Sequence, residues 1–274
     1  CSSDLGSSPI IRFILGFFVM IGALMFLGCP IRMILRLGGG DLNALFGIAG
    51  FAGGIGFGTI FLKKGYSLQR TYALSKLESA MMPAIQVGLL VLVVTAPAFI
   101  FFSQKGPGAM HAPWLISLAA GLVVGGLSQF SRLCTVGGFR DLFLFKKSIL
   151  IFGYLAVLIG VFVVNISFGN FHLGFENQPI AHTDGLWNFL GMALAGFCSV
   201  LLGGCPLRQL IMTGEGNSDS AVTVLGLAAG AAFAHNFGLA ASGAGPTLNG
   251  EIAVGVGFVV AFIIAVLNTK RSNA

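Results

Sequence analysis

The sequence Gly28-Cys29-Pro30-Ile31-Arg32 recurs 176 residues later as Gly204-Cys205-Pro206-Leu207-Arg208. At the same offset three glycine pairs and one phenylalanine pair also match: Gly38 with Gly214, Gly40 with Gly216, Gly50 with Gly226, and Phe57 with Phe233. Gly54 matches Gly230 in the same register. Because the matches extend over about thirty residues, we predict an internal structural repeat.

Each Gly-Cys-Pro motif follows a long apolar segment and precedes a shorter one. Proline has no amide hydrogen and is favoured in the first turn of a helix. The motif therefore predicts a break in the chain followed by a short re-entrant helix, too short to cross a bilayer.

The composition places the chain in a membrane. Of 274 residues, 56% are hydrophobic and only 9% are charged, and the mean hydropathy is +0.94. Soluble domains carry about 25% charged residues, and their surfaces need them. These values exclude a soluble enzyme, a secreted disulfide scaffold, a disordered chain and a nucleic-acid-binding protein. Long apolar runs also exclude an outer-membrane barrel, whose strands alternate.

We predict an all-α polytopic membrane protein of about eight spans with short re-entrant helices, arranged as an inverted repeat. Pairs of glycines four residues apart predict close helix packing in lipid. These pairs are Gly50 and Gly54, Gly54 and Gly58, Gly121 and Gly125, and Gly226 and Gly230. The predicted spans are 10–27, 43–62, 83–103, 113–130, 148–168, 186–203, 219–239 and 251–268.

The basic residues predict the orientation. With both ends in the cytoplasm, twelve basic residues lie on the inner side and three, Arg32, Arg36 and Lys105, on the outer side. The formal charge of +6 is then a consequence of topology and implies no acidic partner. Five spans separate the two motifs, so the copies face opposite ways and Cys29 enters from outside, as in inverted-repeat transporters. The N-termini of such short helices suit an anion.

A third cysteine motif runs from Ser131 to Asp141 and places Cys134 71 residues before Cys205. Its counterpart in the first copy would precede residue 1, so we expect a first repeat that is incomplete at its N-terminus. We assign residues 1–9 to a non-native or truncated end and 10–268 to one transmembrane domain. Its two repeats cover about 10–103 and 113–268, and residues 269–274 form a cytoplasmic tail.

Three cysteines in glycine-rich breaks, each near an arginine, are candidate path residues: Cys29, Cys134 and Cys205. An isolated membrane cysteine is usually an inert packing residue, and Cys198 has that interpretation. Charges at membrane depth are functional candidates, although they also reach the interface or form salt bridges. The charged and polar candidates are Arg32, Arg208, Arg132, Arg140 and His235. We expect His172, His182, Glu176 and Asp184 to be solvated in an outer loop.

At these motifs the chain resembles the YeeE/YedE family of membrane transporters for sulfur-containing ions, also called the sulfur transport or thiosulfate transporter family. Within it the likeness is closer to the YedE-type branch of selenium metabolism, which comprises selenium transporters. The segments that carry the resemblance are 26–37, 131–141, 203–211, 177–188 and 234–238.

The resemblance implies an hourglass of spanning helices and re-entrant loops, through which the ion passes between cysteines held by thiol hydrogen bonds. It implies that Cys29, Cys134 and Cys205 form this relay, with Cys29 on the outer side and Cys205 facing the cytoplasm. Selenium-type members begin with a further span and a cysteine motif that are absent here. The protein would lie in the bacterial inner membrane.

Three functions are compatible with these residues. The first is import of a small sulfur- or selenium-containing anion, and the second is a membrane-embedded thiol enzyme using persulfide or disulfide chemistry, with Cys198 and Cys205 as a candidate pair. The third, a metal-cation transporter, is disfavoured because almost no carboxylate lies in the spans. We predict transport rather than catalysis, and no cofactor or metal. The expected partners are the anion, lipid and a small cytoplasmic sulfur-carrier protein.

Overall fold

The computed structural model describes residues 8–68, 76–96 and 112–269. These residues form eleven α-helices and no strand. The helices are α1 (Pro9–Phe26), α2 (Pro30–Gly38), α3 (Asn43–Lys63), α4 (Lys76–Thr95), α5 (Trp114–Ser131), α6 (Thr135–Phe145), α7 (Ile149–Ser167), α8 (Gly185–Leu202), α9 (Pro206–Gly214), α10 (Ser218–Asn236) and α11 (Leu248–Leu267).

Six segments within the described residues are long and apolar enough to cross a membrane: Pro9–Gly38, Asn43–Lys63, Trp114–Phe145, Ile149–Ser167, Gly185–Gly214 and Leu248–Leu267. The protein is therefore an all-α, multi-pass membrane protein, as the composition predicts. Helix α10 is also long, but polar residues at both of its ends lower its mean hydropathy, and in α4 the residues Ala84–Thr95 form a shorter apolar helix.

Each of the three motif cysteines precedes a short helix. Leu27 ends α1 with a φ of 61°, Cys29 is extended, and Pro30 begins α2. Cys205 before α9 and Cys134 before α6 are likewise extended residues between the end of a long helix and the start of a short one. These helices have 9, 9 and 11 residues, about 14–17 Å at 1.5 Å per residue. They cannot cross a hydrocarbon core of about 30 Å, in agreement with the predicted break and short helix.

Four long helices form the centre of the molecule: α1, α3, α8 and α10. Helix α1 packs against α8 and α10, and α3 packs against α8. Glycines permit this packing, because a Cβ atom at Gly50 would lie 2.0 Å from the Phe189 carbonyl oxygen. A Cβ at Gly226 would lie 2.2 Å from the Phe13 carbonyl oxygen. The close packing predicted from the glycine pairs of α3 and α10 is therefore confirmed.

These two contacts are related by the repeat. Gly226 follows Gly50 by 176 residues, and Phe189 follows Phe13 by the same number. The bounds of α8 and α9 also follow those of α1 and α2 at this offset. Such reciprocal packing is what two related halves make when an approximate two-fold axis exchanges them.

Two details differ from the predictions. Helix α4 begins at Lys76, before the apolar run, rather than at residue 83, because its first turns are polar and hydropathy does not mark them. The predicted end of that span, at 103, lies outside the described residues. No atom of the described residues lies within 4 Å of a Cβ added at Gly121 or Gly125, so these glycines pack closely against none of them. Residues 1–7 and 270–274, with Arg70 and Lys105, also lie outside the described residues.

Candidate functional site

The short helices α6 and α9 bring two of the predicted cysteines together. The side chains of Cys134 and Cys205 lie within hydrogen-bonding reach of each other. Both are buried in one apolar cluster, and Cys205 is fully inaccessible. The two motifs are 71 residues apart, so only the tertiary fold creates this pair.

The two thiols are oriented by the helices that they precede. The Gly137 N–H donates to Cys134 Sγ at 3.3 Å, as in an N-terminal cap. Cys205 Sγ accepts from the backbone of Arg208 and of Thr135. The Thr135 hydroxyl is buried beside the same sulfur. Because one thiol of the pair donates to the other, one S–H hydrogen remains as a weak donor for a further group.

The third cysteine, Cys29, lies near Tyr154, and Tyr154 lies near the pair. The Tyr154 hydroxyl donates to the Pro30 carbonyl at 3.1 Å, which joins α7 to the start of α2. Tyr154 is 9% exposed and lies within electrostatic range of both Cys29 and Cys205. This tyrosine therefore joins the surroundings of Cys29 to those of Cys205.

Sequence reasoning did not identify Tyr154. A signal was present, because the chain has only three tyrosines and this one lies inside a very apolar span. A buried tyrosine hydroxyl usually requires a hydrogen-bond partner. The partner, a backbone carbonyl 124 positions away, is invisible in the sequence.

The two repeat arginines fold back over the glycines that precede the cysteines. A Cβ at Gly28 would lie 2.8 Å from the Arg32 side chain, and one at Gly204 would lie 3.4 Å from that of Arg208. Arg208 also donates to the Gln129 side chain at 2.8 Å and lies 3.9 Å from a Glu215 carboxylate oxygen. Both arginines are thus positioned beside a break, as predicted.

The other candidates are placed differently. Arg140 pairs with the neighbouring Asp141 at 2.8 Å, which is the salt bridge that the sequence offers as an alternative to a path role. Arg132 is exposed at the end of α5 with a φ of 51°. His235 is exposed in the last turn of α10, next to Ala234, which belongs to a different apolar cluster from Cys134 and Cys205. The structure does not bring His235 to the cysteine pair.

Two expectations for histidine and cysteine need correction. His182 is not solvated, because it is 2% exposed and its Nε2 lies 2.8 Å from the Met25 carbonyl oxygen. The loop folds onto the end of α1, which its polar sequence did not indicate. Cys198 does not pair with Cys205, since the two thiols lie in different apolar clusters. Asp184 caps α8 by accepting from the Trp187 N–H at 3.1 Å.

Two polar cavities of about 450 Å³ each lie at opposite ends of α1. Arg12, Tyr66, Arg140 and Gln209 contribute to the lining of the first, where Arg12 pairs with Asp219 at 3.2 Å. Burial raises the pKa of Tyr66 well above its ordinary value, so this hydroxyl is protonated at neutral pH. The second cavity is lined by the end of α2 and the loop after α7.

The described site therefore combines thiols, which are weak donors, with the starts of three short helices and several arginines. A polar cavity lies at each end of α1. Among the described residues, no group of three or more His, Cys, Asp or Glu side chains is placed to hold a metal ion. The geometry therefore suits a polarisable anion that is bound loosely.

Residues 130–269 match the profile of a family described as sulphur transport, the YeeE/YedE family. The chain belongs to this sulphur transport family. A search of curated proteins gives no match. The matched part of the sulphur transport protein contains the Cys134 and Cys205 motifs, and the offset repeat brings the Cys29 motif into the same pattern.

Proposed function

We propose that this sulphur transport protein imports a small sulfur- or selenium-containing anion by passing it along Cys29, Cys134 and Cys205. The observation that carries the proposal is the contact of Cys134 with Cys205, together with Tyr154, which lies near both Cys205 and Cys29. Three thiols that precede three separate short helices thus come to one region of the fold, which packing alone does not require.

The chemistry of the thiols supports a relay, meaning transfer of the ion from one thiol to the next. A thiol is a soft and weak donor, and it suits a polarisable sulfur or selenium atom better than a hard oxyanion. Conduction needs sites that bind strongly enough to admit an ion and weakly enough to release it. Successive weak thiol sites meet both conditions, and Arg32 and Arg208 supply positive charge next to them.

The two cavities support a direction for the path. Residues of α2 line the cavity that contains Arg36, whereas residues of α9 line the cavity that contains Arg12. With both chain ends in the cytoplasm, Cys29 serves the outer side and Cys205 the inner side of the bacterial inner membrane. A small sulfur-carrier protein in the cytoplasm would then receive the imported ion at the cavity that contains Arg12.

Uptake of labelled thiosulfate and selenite, in cells that lack their own importer, tests this proposal. We expect Cys29→Ala, Cys134→Ala and Cys205→Ala each to reduce uptake at least about tenfold at equal amounts of membrane-inserted protein. Cys198→Ala is the matched control, because Cys198 is equally buried but lies in another cluster, and it should retain uptake. Undiminished uptake in the three path variants would contradict the relay.

Thiol chemistry is a second candidate, favoured by the same contact of Cys134 with Cys205. One thiolate takes the outer sulfur of thiosulfate and releases sulfite, leaving a persulfide. The second thiolate then attacks the inner sulfur of the persulfide, which forms a disulfide and releases hydrosulfide. Sulfite released in proportion to the protein, with a mass gain of one sulfur on Cys134 or Cys205, would support this function over transport.

A further inference from the structure

The outer cavity contains two arginines and one buried carboxylate. Arg36 is 7% exposed, and its Nε donates to Asp41 Oδ2 at 2.6 Å. Asp41 Oδ1 accepts from the backbone and side chain of Asn43, both at 2.9 Å. Asp41 is therefore fully engaged, and it neutralises only one of the two guanidinium groups that line the cavity.

The second arginine adds an unbalanced charge. Arg32 lies one helical turn before Arg36, and its positive charge is close enough to repel that of Arg36. Arg32 is half-buried, lines the same cavity and forms no salt bridge among the described residues. Two cations against one carboxylate leave a net charge of about +1 in a cavity that is partly shielded from water, a situation that attracts an anion.

Both arginines also retain a hydrogen-bond donor for a ligand. Within the described residues, Arg36 Nη2 and Arg32 Nε are buried without a hydrogen-bond partner. The remaining donors of Arg36 are engaged, because Nη1 donates to the Phe26 carbonyl at 2.5 Å and the guanidinium lies 4.0 Å from the Phe26 ring centre. Buried donors are normally satisfied, and both of these belong to side chains that line the same cavity, which points to a ligand that accepts hydrogen bonds.

The wall of the cavity is built from paired backbone and amide side chains. The His172 N–H donates to the Gly39 carbonyl at 2.9 Å, and the Gly174 N–H donates to Gly40 at 3.1 Å. Gln178 Nε2 donates to the His172 carbonyl at 2.8 Å. These bonds hold the loop after α7 against the end of α2, so the cavity is a preformed site.

The inner end lacks this arrangement. At the offset of 176, Arg36 corresponds to Met212 and Asp41 to Asn217, while Arg32 corresponds to Arg208. Arg208 has Gln129 and Glu215 as partners. The inner cavity also contains two arginines, Arg12 and Arg140, but each of them pairs with its own carboxylate, Asp219 and Asp141. The excess of positive charge in the outer cavity therefore suits capture at that end and release at the other.

We infer that Arg32 and Arg36 form an outer capture site for the oxyanion headgroup of a small dianion, such as the sulfonate group of thiosulfate. Guanidinium groups bind such oxygens through charge-assisted hydrogen bonds. The inference rests on the proposed function only for the step after capture, in which the sulfur end of the ion reaches Cys29. The site itself recognises the oxygens and not the sulfur, so inorganic sulfate binds there as well.

Isothermal titration of the full chain in detergent, at low chloride, tests the site with thiosulfate and with sulfate as probes. We expect both anions to bind and Arg32→Gln to raise each Kd at least about tenfold, the loss of a charge-assisted bond. Arg36→Gln should act in the same direction, and Arg32→Gln decides the matter if that buried variant does not fold. Lys64→Gln is the matched control, because it removes one exposed positive charge from the other end of α3 and should leave Kd unchanged.

A fourth variant separates this inference from the proposed function. Cys29→Ala should abolish uptake but leave the Kd for sulfate unchanged, since the site contains no thiol. If neither the wild type nor any variant transports the ion, but the arginine variants still bind sulfate more weakly than the wild type, the relay is wrong and the capture site stands. An equal Kd in the wild type and in Arg32→Gln, or an equal loss in Lys64→Gln, would overturn the capture site whatever the uptake shows.

Discussion

The candidate path side chains of this protein are held mainly by hydrogen bonds to backbone groups. Cys134 and Cys205 accept backbone N–H groups at the starts of α6 and α9. Tyr154 donates to a backbone carbonyl of α2. These contacts fix the positions of the groups.

The first prediction concerns Tyr154. Tyr154→Phe should lower the free energy of unfolding by roughly 1–3 kcal/mol, because the buried Pro30 carbonyl loses its donor. It should also reduce uptake, since α2 is no longer joined to α7 beside Cys29. Thermal unfolding in detergent and uptake measure the two effects.

Tyr66→Phe is the control for this prediction. The Tyr66 hydroxyl is also buried, but among the described residues it has no hydrogen-bond partner. Its removal should leave the melting temperature unchanged or raised. An equal loss of stability in both variants would show that the Pro30 contact contributes nothing.

The second prediction concerns the buried ion pair of Arg36 and Asp41. Asp41→Asn leaves the Arg36 charge buried without its carboxylate, and we expect a destabilisation of about 3–5 kcal/mol. Asp184→Asn makes the same chemical change at a partly exposed helix cap, where asparagine serves equally well. Chemical denaturation should therefore separate the two variants, and similar midpoints would argue against a structural ion pair.

At the scale of whole helices, the stability of the centre depends on glycines at which backbones touch. In α3 an added Cβ at Gly54 would lie 2.0 Å from the Ala193 carbonyl oxygen, and in α10 one at Gly230 would lie 2.5 Å from that of Phe17. Backbone atoms cannot rotate away as a side chain can. Lipid gives helices little hydrophobic reason to associate, so this close packing supplies much of the attraction.

The third prediction compares three glycines. Gly54→Ala and Gly230→Ala should each lower the free energy of unfolding by about 1–3 kcal/mol, the usual cost of overpacking. Gly121→Ala should cause no loss, because no atom of the described part of the chain lies within 4 Å of the added methyl group and alanine favours helix. Melting temperatures of the three purified variants test this order, and a loss confined to Gly121→Ala would reverse the assignment of the central helices.

At the scale of the molecule, the cavities mark two opposite ends. Helix α1 begins beside one cavity at Arg12 and ends beside the other near Phe26, about 27 Å away for 18 residues. The exposed lysines at the end of α3 share the Arg12 end, and the loop that contains His172 shares the Arg36 end. The positive-inside rule predicts that the first end faces the cytoplasm.

The fourth prediction tests that assignment by labelling. In a Cys29→Ala background, His172→Cys should react with a membrane-impermeant maleimide added to intact cells. Lys64→Cys should react only after the membrane is permeabilised. Both positions are exposed, so a missing signal cannot come from burial, and the reverse pattern would invert the proposed direction.

The class of the protein, most of its helices and the short helices after the three cysteines could be predicted from the amino-acid sequence alone. Those properties depend on local patterns, since apolar runs must be helical in lipid and Gly-Cys-Pro interrupts them wherever it occurs. The repeat and the candidate residues Cys29, Cys134, Cys205, Arg32 and Arg208 were also readable from residue types and spacing.

Which of these residues meet is a property of the folded chain. The pairing of Cys134 with Cys205 rather than Cys198, the position of Tyr154 and the burial of His182 all depend on contacts between distant segments. The same is true of Arg36, for which the sequence predicted only the outer side of the membrane and which the fold buries beside Asp41. Hydropathy records the residue type at each position, whereas these contacts depend on how the glycine-lined helices α1, α3, α8 and α10 pack.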